Sequence, residues 1–299
     1  MPAYRRTFLG LLLALALSGI AAGPASAGEC SPVRQWQLDF VDAADGGMLT
    51  RQMLGNGHVY LALDTGAIAH LLFADQADAL HLRRRHGSRP IVGAGGTVSD
   101  AAVIDPVSLR EYFVVPRGSG GDPREAGVLG APLYQDHDLE LDFQARKINL
   151  YLPEHCDAGR VYRAPDFVAV PLRSDRFGRA FVTVTLDGKP MNALIDTGAT
   201  DTTMSLAVAQ RLFGLSPGGS GTDRIGAGRD IHGNLLTTYR HRFKSMNLGR
   251  LHIAAPQIDL ADAACESGVD LILGMSELRR MRLFFAFREG RLYAKLTVP

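Results

Sequence analysis

The chain is poor in cysteine and tryptophan, with three of the first and one of the second in 299 residues, and it has no marked excess of charge. Its 32 basic and 31 acidic side chains give a formal charge of +1. A balance this even supplies no general attraction to nucleic acid or to an anionic membrane. Cys30, Cys156 and Cys265 form no CxxC pair and no HxxxH accompanies them, so the spacing of a structural zinc site is missing. A second long apolar run is missing as well. The one present, Phe8 to Ile20, follows Arg5-Arg6 and precedes Ala25-Ser26-Ala27, which is the order of a secretory signal peptide. It is short and rich in small residues for a membrane span. Residues 1–27 are therefore expected to be a signal peptide cleaved after Ala27, with the protein exported to the periplasm or secreted and no membrane span left in the mature chain. Arg5-Arg6-Thr7-Phe8-Leu9 keeps both the Sec and the twin-arginine route open. Cleavage removes two arginines and no acid, which takes the formal charge from +1 to −1.

In an oxidising compartment two of the three cysteines can pair within one chain. Cys30 and Cys156 flank the first half and are the favoured pair.

What the chain does have is a repeat. Asp64-Thr65-Gly66-Ala67 returns 132 residues later as Asp196-Thr197-Gly198-Ala199, each copy after an apolar run. A glycine-rich segment follows each, Val92-Gly93-Ala94-Gly95-Gly96 and Ile225-Gly226-Ala227-Gly228. An apolar pair with glycine comes next, Val128-Leu129-Gly130 and Ile272-Leu273-Gly274. The offset grows from 132 to 144 along the series, which puts extra residues in the second half between its glycine-rich segment and Gly274. Taken singly, Asp-Thr-Gly suits an ordinary turn after a strand. Three landmarks repeated in order point instead to a duplicated fold. Neither glycine segment completes GxGxxG, since Val98 and Ile231 stand at the last position, which argues against a dinucleotide loop.

Period-2 alternation dominates. Phe181 to Leu186, Asp187-Gly188 and Met191 to Ile195 read as a hairpin with a two-residue turn. Helix is expected only in short pieces: Leu206 to Phe213, capped by Ser205 and ended by Gly214, and the equivalent stretch from Phe73 to Leu82. Arg83-Arg84-Arg85-His86 reads as a solvated helix end. Pro153, Gly159 and Pro165 mark a linker over 153–167, leaving an N-terminal lobe over 28–152 and a C-terminal lobe over 168–299. The expected fold is mostly β, two similar β-barrel lobes in a pseudo-two-fold arrangement with short helices.

Two like lobes related by a two-fold axis set equivalent residues opposite each other. If Asp64 and Asp196 meet there, their charges cannot both ionise easily, and one keeps a proton while the other stays charged. Such a pair can activate a water and polarise a carbonyl without a metal or an organic cofactor. Gly66 and Gly198 allow the two loops to approach closely, and the hydroxyls of Thr65 and Thr197 can brace the junction. His137, His232, His241 and His252 are scattered and read as surface or loop residues.

These residues resemble the pepsin and retropepsin superfamily of aspartic peptidases, especially bacterial members with two retropepsin-like lobes fused in one chain. The resemblance runs from about Gln35 to the end of the sequence. It implies an aspartic endopeptidase that takes peptide or protein substrates and works as a monomer. It also implies that Gly93, Gly95, Gly96, Gly226 and Gly228 belong to substrate-covering flaps, and that Leu129, Gly130, Leu273 and Gly274 support the active-site loops. The second lobe continues Thr200-Asp201-Thr202, close to the family pattern, whereas the first continues Ile68-Ala69-His70, with His70 in place of the usual small hydroxyl residue. Ala67 and Ala199 stand where pepsins carry a hydroxyl that stabilises the outer carboxylate oxygen, which implies a less acidic optimum than pepsin's. A non-catalytic peptide-binding protein on the same scaffold is the rival reading, and an envelope-assembly protein a third.

Overall fold

The computed structural model describes residues 32–92, 98–106, 108, 110–118, 121–153, 162, 166–229, 235–262 and 268–297. The signal segment, all three cysteines, most of the linker and the glycines Gly93, Gly95 and Gly96 lie outside the described residues.

Seven strands of one half correspond to seven of the other, in the same order across the sheet. In the first half the order is Met48–Leu54, Gly57–Leu63, Glu125–Leu129, Leu71–Phe73, Glu111–Val115, Val98–Ile104, Arg84–Val92. In the second it is Ala180–Leu186, Lys189–Ile195, Leu271–Leu273, Thr203–Ser205, Gln257–Ala261, Leu235–Arg242, Thr222–Arg229. Even the parallel pairings repeat: Gly57–Leu63 runs parallel to Glu125–Leu129, as Lys189–Ile195 does to Leu271–Leu273. The extra residues of the second half form one hairpin, Ser245–Leu248 with Leu251–Ala254. It extends the sheet beside Ala180–Leu186 and buries Met246, Leu248 and Ile253.

Local chemistry accounts for these elements. Val182, Val184 and Leu186 alternate inward along their strand, and the turn that follows places Asp187 at φ 44° and Gly188 at φ 80°, the left-handed pair that a tight hairpin requires. Ser205 caps the helix Leu206–Phe213 by accepting from the Val208 amide at 3.2 Å, and Gly214 ends it in the left-handed conformation. The helix of the first half is shorter, Ala74–Ala79, with His81 at φ 53° just beyond. Arg83–His86 is accordingly not a helix end: strand Arg84–Val92 begins there, and the Arg84 guanidinium reaches back 2.6 Å to Asp78. Strand pairing with Val98–Ile104 outweighs the helical tendency of the arginines.

The halves join through a six-stranded layer in the order Val168–Pro171, Arg291–Leu296, Met281–Ala286, Asp138–Asp142, Lys147–Tyr151, Arg34–Asp42. The pseudo-two-fold passes between the two central strands, where Leu283 faces Leu141 and Phe285 faces Leu139. Glu140 is buried in this layer. It accepts hydrogen bonds from Asn149, Tyr151, Tyr162 and, at 2.7 and 2.9 Å, from Arg282 of the other half. Tyr162, from the segment between the halves, stacks on Phe284 with ring centroids 4.3 Å apart.

Candidate active site

Asp64 and Asp196 each follow the last residue of an equivalent strand, and each is anchored by its backbone. The Asp64 amide donates to the Leu129 carbonyl and the Asp196 amide to that of Leu273, both at 3.0 Å. Leu129 and Leu273 are fully buried, and the glycines after them are required by space. A Cβ on Gly130 would stand 2.3 Å from the Ala69 carbonyl oxygen, and one on Gly274 would stand 2.4 Å from that of Asp201.

Across the axis the two loops interlock. The Thr65 amide donates to Thr197 Oγ1 and the Thr197 amide to Thr65 Oγ1, each at 3.1 Å. Each hydroxyl passes its own proton over the junction, Thr65 Oγ1 to the Ile195 carbonyl and Thr197 Oγ1 to the Leu63 carbonyl, both at 2.8 Å. Glycine permits the approach: a Cβ on Gly66 would lie 2.6 Å from the Asp196 carboxyl carbon, and one on Gly198 would lie 2.4 Å from that of Asp64. Each carboxyl therefore rests on the opposite loop. Asp64 Oδ1 accepts from the Gly66 and Ala67 amides at 2.8 and 2.9 Å, and Asp196 Oδ1 from Gly198 at 2.9 Å.

The electrostatics of the pair are unequal. Burial, the charge of Asp196 and a hydrogen bond to it hold Asp64 well above the usual carboxylate range. Burial also raises Asp196, but the hydrogen bond from Asp64, the amides of Gly198 and Ala199 and the charge of Arg179 oppose that rise. Both carboxyls are thus raised, and the pair is set to hold one proton between them. As whole residues Asp64 and Asp196 are half-buried.

His70 and Thr202 occupy equivalent positions, six residues after their aspartates. Thr202 Oγ1 accepts from the Gly274 amide at 3.1 Å, and His70 Nδ1 accepts from the Gly130 amide at the same distance. The imidazole is buried against Tyr112, and burial together with the Arg110 charge pushes it down to about 4, so it is neutral near pH 7.

Arg84–Val92 pairs with Val98–Ile104, and Thr222–Arg229 with Leu235–Arg242. Gly226 and Gly228 lie inside the strand Thr222–Arg229, opposite Thr238 and Leu236, next to a bulge after Arg224. They are strand residues, and 230–234 lie outside the described residues.

Three further contributors carry no repeated signal in the sequence. Tyr134 donates from its buried hydroxyl to the Thr65 carbonyl at 3.2 Å, while the equivalent position in the second half is Leu278. Arg279 crosses between halves, donating to the carbonyls of Gly46 and Gly47 and, at 2.6 Å, to Asp42. Arg179, buried and paired with Asp175 at 2.7 Å, brings a cation toward Asp196. Repetition reveals shared residues, and these three are not shared.

Residues 182–276 match the family model described as aspartyl protease. DNA damage-inducible protein 1 of Eremothecium gossypii is 28% identical over 115 residues, which is 37% of this chain and 22% of that relative. The chain thus matches about a fifth of the length of this curated relative. Among solved structures, a retropepsin-like aspartic protease from Rickettsia conorii aligns over 44% of this chain and 90% of its own, with 16% identity and a TM-score of 0.34. Basic 7S globulin from soybean aligns over 88% and 95%, with 10% identity and a TM-score of 0.49. Over residues 182–276 the chain is thus similar to the aspartyl protease family.

Proposed function

We propose that the protein is an exported aspartic endopeptidase in which Asp64 and Asp196 activate a water for attack on a peptide bond. The observation that carries this is the closure of two Asp-Thr-Gly loops on one another, each carboxyl seated on the opposite glycine. Asp196, the charged member, takes a proton from the water, while the Asp64 hydroxyl hydrogen-bonds the substrate carbonyl and gives up its proton as the tetrahedral diol forms. The proton gained by Asp196 then passes to the departing amine as the C–N bond breaks, and a diol hydroxyl returns a proton to Asp64 as the product carboxyl forms. No covalent enzyme intermediate arises. Thr65 and Thr197 fix the carboxyls, and Leu129-Gly130 and Leu273-Gly274 support the loops from below. The hairpins carrying the glycine-rich segments serve as flaps over an extended peptide. Because both loops come from one chain, a monomer is sufficient. Residues 1–27 direct export, so the N-terminus of protein recovered from the periplasm or medium is expected at Gly28; an N-terminus at Met1 would refute cleavage.

The experiment is digestion of a denatured protein mixture from pH 3 to 7 by wild type, Asp64→Asn and Asp196→Asn, read by mass spectrometry. New peptides from wild type alone support the assignment. Equal cleavage by all three would remove the aspartates from the chemistry, and none by any would leave a peptide-binding scaffold.

A further inference from the structure

We propose that His70 is a positioning residue whose neutral imidazole holds the loop beneath Asp64 as Thr202 holds the one beneath Asp196, and whose protonation sets an acid limit on activity. The inference rests on the reading of Asp64 and Asp196 as a working pair.

The internal symmetry of the molecule carries it. In both halves a side chain six residues after the aspartate accepts the amide of the glycine that follows the supporting strand, at 3.1 Å in each case. That glycine cannot move independently of the aspartate loop: the next amide, Ala131 or Met275, donates 2.8 Å to the carbonyl of Ala67 or Ala199. A hydroxyl accepts such a bond at every pH. An imidazole accepts it only while Nδ1 carries no proton. Once Nδ1 is protonated, two N–H groups face each other in a buried space and the bond is lost.

The surroundings make this loss an acid event. The groups facing His70 are the Tyr112 ring, with its centroid 5.4 Å away, and the Arg110 charge just before the strand Glu111–Val115. Neither stabilises an imidazolium by charge. On the other side lie the Gly130 amide and the backbone of Phe113, whose amide donates to the His70 carbonyl at 2.9 Å. Burial and Arg110 together push the imidazole down to about 4.

Two variants and two readouts test the proposal. His70→Asn places an oxygen near Nδ1, retaining an acceptor that does not titrate, whereas His70→Leu fills the space with no acceptor. The ratio of kcat/KM for His70→Asn to that of wild type is expected to rise about tenfold between pH 6 and pH 3, the change that follows when one pH unit separates the assay from the imidazole's midpoint. His70→Leu is expected to lose about tenfold in kcat at pH 6 with KM little changed, the scale of one buried hydrogen bond. In NMR spectra, the Gly130 amide of wild type should shift with a midpoint near pH 4, and in His70→Asn it should not. Superimposable profiles for wild type and His70→Asn, or an unmoved Gly130 amide in wild type, would overturn the proposal. If wild type cleaves nothing at any pH, the catalytic reading fails, while the Gly130 titration still decides the role of His70.

Discussion

The hydroxyl of each of Thr65 and Thr197 makes two buried hydrogen bonds across the two-fold, one as acceptor and one as donor. Thr197→Val keeps the shape and strands the Thr65 amide and the Leu63 carbonyl. It is expected to cost about 1–3 kcal/mol in chemical denaturation and to reduce cleavage, and a variant as stable as wild type would show that the interlock is dispensable. Ala67 and Ala199 bring only backbone amides to their aspartates. Hydroxyls added by Ala67→Ser and Ala199→Ser should stabilise the charged pair and move the pH–rate profile toward acid; an unmoved profile would refute that effect. Asp-Thr-Gly-Ala in duplicate marked the two loops that meet across the two-fold, because both halves carry the same groups there. His70 was legible only as a departure from the small hydroxyl residue expected there. The structure shows instead that Nδ1 takes up the hydroxyl's hydrogen bond, a substitution of function that residue type alone does not disclose.

At the scale of elements, the growing offset between repeats located the inserted hairpin, and alternation with Asp187-Gly188 located a tight turn. The strand after the first helix was not legible, because Arg84 and Arg85 suit a helix end and only pairing with Val98–Ile104 makes them strand. Gly226 and Gly228, expected in a flap, lie within a strand of a hairpin next to a bulge. The layer joining the halves depends on Glu140, whose partners come from both. Glu140→Ala takes the acceptor from two tyrosine hydroxyls and Asn149 and leaves Arg282 with Asp142 at 3.3 Å. The expected loss is about 3 kcal/mol, the low end for a broken buried pair because Arg282 is partly exposed and can rehydrate. Denaturation monitored by fluorescence checks it, and a loss under about 1 kcal/mol would show that the joint does not depend on this network.

The whole molecule has opposing titrations. His70 is neutral in the fold, so the stability it protects is present above its ordinary value of 6.5 and is lost as pH falls toward about 4. Asp42 is held low by Arg279, and its contribution is likewise lost in acid, below the ordinary carboxylate range. Burial raises Asp138 to about 6, and burial with the charge of Asp45 raises Glu125 to about 7. Stability tied to these two is complete below their ordinary values and is lost as pH rises through the folded ones, and Asp64 and Asp196 add in the same direction. The denaturation midpoint should therefore peak at about pH 4–5 and decline toward neutrality; a midpoint that climbs steadily to pH 8 would contradict this balance.

The central claim is that the two aspartates act as one unit, and the most direct test is kcat/KM for Asp64→Asn, Asp196→Asn and the double variant at the optimum of the wild type. Members of a single catalytic device are strongly non-additive. The expected result is that each single variant loses nearly as much as the double. Losses that multiply, or a single variant that keeps wild-type activity, would contradict a shared role for Asp64 and Asp196.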